Sequence, residues 1–309
     1  MYSSAKAQSL ELTLNQTLNI FFNSLITKKQ QKIMATTQKK AVAPKKNSQG
    51  FQGVRGAFWI IVVCAVIAFT LFFTWFGHES HFAEGGEHPI DVWGTIYKGG
   101  VIVPVIHALL LTVLAMTIER ALALKTAFGK GALPKFVANI KDALNKNDFA
   151  KAQQLCDQQK GSVANVVGAS LRAYKEMEGT AGIKKAQKIA KIQQAHEEAT
   201  QLEMPTLTMN LPIVATIVTL GTLTGLLGTV VGMIKAFSAM NASGGADSAE
   251  LASGISEALI NTAFGIGTSW CAVVSYNYFT NKVDKLTFAL DEVGYSIAQT
   301  YEATHTEEA

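Results

Sequence analysis

Four long apolar runs contain no Asp, Glu, Lys or Arg: 56–76, 99–118, 204–234 and 258–281. Each reaches the roughly 20 residues a helix needs to cross the hydrocarbon core of a bilayer. Residues 121–203 show a different pattern. There, "LPKFVANIKDALNKNDFAKAQQLCDQQKGSVANVVGASLRAYKEM" has apolar positions at helical spacing, with Gly131, Pro134, Gly161 and Gly179 as breaks. This predicts short amphipathic helices in water. Asp148 of "NDF" stands where it would cap one of them. No strand alternation is present. The fold class predicted is an all-α membrane protein with four transmembrane helices and a helical cytoplasmic segment.

The runs differ in character. The first, "GAFWIIVVCAVIAFTLFFTWFG", is apolar all round, with Trp59 and Trp75 near its ends. That is an aromatic belt, and it predicts an anchor or lipid-facing support. The second contains Pro104 and His107. A proline is tolerated inside a membrane bundle. His107 has no ionisable companion in its span, so a hydrogen bond to a neighbouring helix is expected ahead of a proton relay. Glu119 and Arg120 mark the exit of this run into water. The third run is uncharged for 31 residues, Met204 to Ile234. As a helix this is roughly 46 Å, against a core of about 30 Å. The preceding "GIKKAQKIAKIQQAHEEATQLE" is expected to continue straight into it as one helix. Such a helix must tilt or project beyond the bilayer, with part of its length against protein.

The loops carry an orientation signal. Residues 1–56 have nine Lys/Arg and one acid, Glu11. Residues 119–203 have fourteen Lys/Arg and nine acids. Residues 77–98 carry Glu79, Glu84, Glu87 and Asp91 against Lys98, and 238–253 carry Asp247 and Glu250 without a base. The positive-inside rule places both termini and the 119–203 segment in the cytoplasm. The net charge of +4 is accounted for in this way, and no nucleic-acid partner is implied. The predicted layout is a basic N-terminal segment 1–55, spans at 56–76, 99–120, 204–237 and 254–281, and external loops at 77–98 and 238–253. The cytoplasmic parts are 121–203 and a tail, 282–309. Met34 of "MATTQKKAVAPKKNSQG" reads as a second start, with 1–33 an over-extended beginning.

Candidate chemistry outside the spans is sparse. Cys64, Cys156 and Cys271 lack metal spacing and read as packing residues. His78, His81 and His88 lie among acids in the first external loop, which reads as a solvated loop rather than a metal site. The chain has no phosphate loop, dinucleotide fingerprint, zinc-protease motif or nucleophile elbow. It is read as a non-enzyme without a bound cofactor.

The third and fourth runs carry polar stripes. Thr222 and Thr229 are seven residues apart and face the same way within about 20°, with Gly225 between them. In the fourth run Thr262, Ser269 and Tyr276 repeat every seven residues on one face, and Glu257 and Asn261 lie on another. "GTLTG" and "GTVVG" place Gly221, Gly225, Gly228 and Gly232 where helices approach closely, with Gly265 on the partner run. Such stripes serve either helix packing or a water-filled path.

The paired segments "TGLLGTVVGMIKAF" and "LASGISEALINTAFG…YNYF" resemble the core of the MotA/TolQ/ExbB proton channel family, on its ExbB and TolQ side. The likeness covers 211–283 well, and the whole core would span about 100–290. It implies pore-lining roles for Thr229 and Thr262, joined here by Thr222, Ser269 and Tyr276, and a functional acid at Glu257. The chain has Thr222 and Cys271 where the family often has proline. The resemblance implies a multi-pass protein of the bacterial inner membrane. Its expected form is a homo-oligomer, a pentamer by likeness, with a single-span ExbD/TolR-like partner, a TonB-like transducer, and H⁺ as the translocated ion. A TolQ-type envelope motor, a motility stator and a passive helical scaffold are the alternatives.

Overall fold

In a computed structural model, residues 56–83, 89–242 and 248–306 are described. The readings placed on residues 1–55, on Glu84, Glu87 and His88, on Asp247, and on 307–309 of the expected tail lie outside them.

Four helices are long and apolar enough to cross a membrane. Helix α1, Ala57–Leu71, runs on through a π-helical turn at Phe72–Phe76. It buries Cys64, Ala68, Phe72 and Phe76, which are four residues apart and therefore form one stripe. Trp59, Val63, Val66, Phe73 and Trp75 stay exposed, as suits a helix facing lipid. The hydroxyls of Thr70 and Thr74 donate to the carbonyls of Val66 (2.8 Å) and Thr70 (2.7 Å), so neither is left unsatisfied in hydrocarbon. A short helix α2, Val92–Tyr97, is capped by the Asp91 side chain. It leads into α3, Ile102–Phe128. Pro104 lies in the first turn of α3, where a missing N–H breaks no helical bond.

Four helices make a bundle of the soluble type: α4 (Leu133–Asn145), α5 (Phe149–Gln159), α6 (Gly161–Glu178) and α7 (Lys185–Thr208). Asp148 caps α5 as its sequence position implies, accepting from the Lys151 N–H at 2.9 Å. Helix α8, Leu211–Ala242, and helix α9, Ser248–Thr304, complete the chain. Among the described residues there is no strand.

Two sequence expectations change. The helix before the third run enters it for five residues, Met204 to Thr208, and does not continue through it. It breaks at Met209–Asn210, and Asn210 adopts a left-handed φ of 66°. Asparagine tolerates that conformation better than most residues. Pro212 follows as the second residue of α8, where proline is accommodated. The segment expected as a tail is not a tail either. Helix α9 is 57 residues long, roughly 85 Å. Its second half supplies Val283, Leu286, Leu290, Val293, Ile297 and Tyr301 to the bundle core. The Tyr301 ring meets Tyr174 edge-on at 4.8 Å, and Tyr174 Oη pairs with Thr304 Oγ1 at 3.0 Å. The helix that crosses the apolar layer is thus the same rigid rod that organises the bundle. We call that side the bundle end of the spans, and the opposite side the loop end.

Candidate functional site

Helices α8 and α9 pack antiparallel along a seam of small residues. On α8 the buried positions from Gly221 onward are Gly221, Gly225, Gly228, Gly232 and Ala236. Each is three or four residues from the next, so they form one face. They meet Ser269, Gly265, Asn261, Ala258 and Gly254 of α9. A Cβ on Gly265 would stand 2.6 Å from the Gly225 Cα, and one on Gly232 would stand 3.0 Å from the Ala258 N. These backbones touch, and side chains larger than hydrogen would force them apart.

That closeness brings hydroxyls together. Thr229 and Thr262, both half-buried, share a short hydrogen bond across the seam. Thr262 Oγ1 also lies 3.1 Å from the Ala258 carbonyl and Thr229 Oγ1 3.3 Å from the Gly225 carbonyl. Each hydroxyl has one proton and two lone pairs. One threonine therefore donates across the seam while the other donates to its own helix. Two turns towards the bundle end, Thr222 Oγ1 and Ser269 Oγ pair at 2.8 Å. The sequence-predicted stripe divides at its third member. Thr262 and Ser269 meet hydroxyls of α8, whereas Tyr276 packs into the apolar clusters at the bundle end. Beside Thr229 an open groove of about 490 Å³ follows α8 past Met233 and Phe237 to Asn241.

At the loop end Glu257 is half-buried and accepts from Lys235 Nζ at 2.7 Å. Asn261 is wholly buried one turn further on. Its Nδ2 donates to the carbonyls of Gly99 (2.8 Å) and Glu257 (3.0 Å), which ties α9 to the start of α3. Sequence spacing puts Asn261 beside Glu257 but assigns it no role.

At the bundle end the pair expected to mark the exit into water is buried instead. Arg120 is 0% and Glu119 6% exposed. They are ion-paired to each other, and Arg120 Nη1 donates to the Thr206 carbonyl at 3.2 Å. Another hydroxyl pair, Thr117–Ser275 at 2.6 Å, joins α3 to α9.

His107 does not bond a neighbouring helix as expected. Its Nδ1 lies 2.9 Å from the Val103 carbonyl of its own helix, and its ring rests against Phe264 and Phe76. In the loop before α2, His81 Nδ1 pairs with Asp91 Oδ2 at 2.6 Å. The Gly94 N–H, and then His81, hold the Asp91 carboxyl below its usual range. Among the described residues no group of three His, Cys, Asp or Glu side chains gathers to hold a metal. Cys64 and Cys156 are buried and Cys271 partly so. Burial pushes the Cys156 thiol up to about 12, which keeps it an unreactive packing group.

Spanning helices, a glycine seam and paired hydroxyls define a multi-pass membrane protein built around two closely packed helices. Residues 160–292, which include Thr229 and Thr262, match the MotA/TolQ/ExbB proton channel family. It is 24% identical over 200 residues to a biopolymer transport protein described as an ExbB homolog in Methanothermobacter thermautotrophicus; the match covers 63% of this chain and 66% of the relative. It is 25% identical over 200 residues to the Tol-Pal system protein TolQ of Pseudomonas aeruginosa, covering 63% and 86%. Against the biopolymer transport protein ExbB of Helicobacter pylori it is 38% identical over 81 residues, covering 26% and 56%. The chain thus spans just under two thirds of the Methanothermobacter relative and just over half of the Helicobacter one. The family is one of membrane channels and not a known enzyme class.

Proposed function

We propose that this chain is the channel-forming subunit of an ExbB-type motor in the bacterial inner membrane, which passes proton-motive force to a TonB-like transducer. The observation that carries the reading is the hydroxyl contact between Thr229 and Thr262 on helices held backbone to backbone. A threonine donates and accepts, so it can order a wire of water across an apolar layer. It cannot store a proton near neutral pH. Glu257 at the loop end is a carboxylate, ion-paired with Lys235. At the bundle end Glu119 is committed to Arg120.

A titrating acid midway must therefore come from outside the chain. A single-span ExbD/TolR-like partner with an aspartate in its membrane helix would supply it, inside a ring of these subunits. Five is the number the family likeness implies. The loop charges put the bundle on the cytoplasmic side, with Glu257 facing the periplasm. No bound cofactor is needed, and H⁺ is the ion moved.

The TolQ relative, of which the chain covers 86%, favours a second reading, an envelope-integrity motor of Tol type. One experiment addresses both. Thr262→Val is introduced in the native host, and outer-membrane uptake and detergent resistance are measured alongside membrane insertion and oligomer size. Loss of energised uptake with intact oligomers supports the ExbB-type motor, and loss of detergent resistance alone supports the Tol type. Both activities retained, with oligomers dissociated, would leave only a helical scaffold.

A further inference from the structure

Glu257 is held from two sides at the loop end of the seam. Lys235 of α8 donates to its Oε1 at 2.7 Å. From the other side the carboxylate rests on the backbone of Gly100, just ahead of α3. Gly100 has a φ of +78°, and a Cβ there would overlap Glu257 Oε1 and stand 3.4 Å from Lys235 Nζ. Glycine at this position leaves room for the ion pair. Asn261 fixes the arrangement from below through its bonds to the Gly99 and Glu257 carbonyls. The start of α3, α8 and α9 thus converge on one carboxylate.

The two charged side chains are not equivalent. That of Lys235 is 53% exposed and that of Glu257 13%. The acid sits against the Gly100 backbone. The base reaches it from the surface on a four-carbon stem with rotatable bonds. If the pair opens, the ammonium moves into water, while the carboxylate stays in place and must be neutralised by another cation. From α8 the group facing the Glu257 carboxylate is Lys235, and from the segment just ahead of α3 it is the Gly100 backbone; Asn261 of α9 bonds the Glu257 main-chain carbonyl. Among the described residues Glu257 has no other ion-pair partner.

We propose that Lys235 is a tethered counter-cation that occupies Glu257 in the resting subunit, so that a proton reaches the threonine seam only when the lysine swings aside. This rests on the reading of Glu257 and the seam as a proton path. Ammonium and hydronium compete for the same carboxylate oxygen. While the lysine is seated, its ammonium occupies the Glu257 carboxylate and the loop end is shut to leak. When a proton binds, the released lysine is solvated at its half-exposed position and can reseat once the proton has moved on.

The test uses the full chain in phospholipid vesicles and dicyclohexylcarbodiimide, which reacts with protonated carboxyl groups in membranes. Labelling at Glu257 is followed by peptide mass spectrometry. Lys235→Gln is expected to label several-fold faster than the unchanged chain, and Lys235→Arg at the unchanged rate. Equal rates for Lys235→Gln and the unchanged chain overturn the proposal. A second measurement does not depend on a variant folding. A water-soluble carbodiimide applied to the unchanged chain should join Lys235 to Glu257 through an amide, seen as one linked peptide pair. Absence of that pair, with Glu257 modified on its own, overturns the proposal as well. Neither readout requires conduction, so failure here is distinct from failure of the channel reading, which the threonine variants test.

Discussion

Arg120 and Glu119 are neighbours in sequence, and their side chains close a two-pronged ion pair inside the protein. Arg120 Nε donates to Glu119 Oε2 at 2.6 Å, and Nη2 donates to Oε1. The remaining nitrogen, Nη1, takes the Thr206 carbonyl in the last turn of α7. Asn210 Nδ2 reaches Glu119 Oε2 at 3.3 Å. The pair thus grips both sides of the break between α7 and α8, at the point where the bundle hands over to a spanning helix.

Removing the arginine alone would bury a carboxylate without its partner and free the Thr206 carbonyl. Arg120→Met is expected to destabilise the protein by about 3–5 kcal/mol, measured by denaturant unfolding in detergent micelles. Glu119→Gln combined with Arg120→Met leaves no stranded charge and should lose clearly less. An equal loss in both would show that the pair acts through packing alone.

The glycine seam makes a position-specific prediction. Gly265→Val places bulk against the Gly225 backbone and should cost at least about 1–3 kcal/mol. Gly267 is two residues away on the same helix, and a Cβ added there would meet nothing within 4 Å. Gly267→Ala should be neutral, or stabilising by up to about 1 kcal/mol through helix propensity. Thermal melts of both variants give the comparison, and similar losses would argue against backbone contact at Gly225.

His196 gives the bundle a pH dependence. It is buried where α6, α7 and α9 meet, with Nδ1 2.9 Å from Ser170 Oγ and Nε2 without a partner against Gly294. Ser170 Oγ donates to the Val166 carbonyl, so Nδ1–H donates to Ser170 and Nε2 keeps a lone pair. Burial holds this imidazole below its ordinary 6.5, against the opposing pull of Asp291 and Glu197. The unfolded chain therefore binds the proton first as pH falls. The stability tied to the neutral ring is present above about 6.5 and is lost as pH drops through the folded value. Melting temperature should fall between pH 7.5 and 5.5, and His196→Gln should flatten that slope. An unchanged slope would place the pH dependence elsewhere.

Much of this architecture is legible in the sequence, and the exceptions have physical reasons. The four spans show because hydrocarbon demands long uncharged runs. Thr229 and Thr262 show because a hydroxyl among glycines breaks an apolar pattern. The second half of α9 does not show in the same way, although Val283, Leu286, Leu290, Val293 and Ile297 have helical spacing. Charges from Lys282 onward end the apolar run, and run length says nothing about a helix that leaves the membrane intact. The break at Asn210 is harder to see. Only Asn210 and Pro212 signal it within a long uncharged run, and the grip that holds it comes from Arg120, whose bond to Thr206 spans 86 positions. Tyr276 keeps the seven-residue spacing of Thr262 and Ser269, but Ser269 meets α8 while the tyrosine has reached the bundle, where the neighbours are apolar. Spacing gives a face, and the element opposite that face decides its use.

In the proposed motor the Thr229 hydroxyl takes part in a proton path and does more than pack two helices. The most direct measurement compares Thr229→Val with Thr229→Ser in the native host, scoring the rate of proton-motive-force-dependent uptake at matched membrane levels and oligomer size. Valine keeps the shape and removes the hydroxyl, and serine keeps the hydroxyl and removes a methyl. Uptake should be abolished by valine and largely retained with serine. Full uptake with valine would contradict this role.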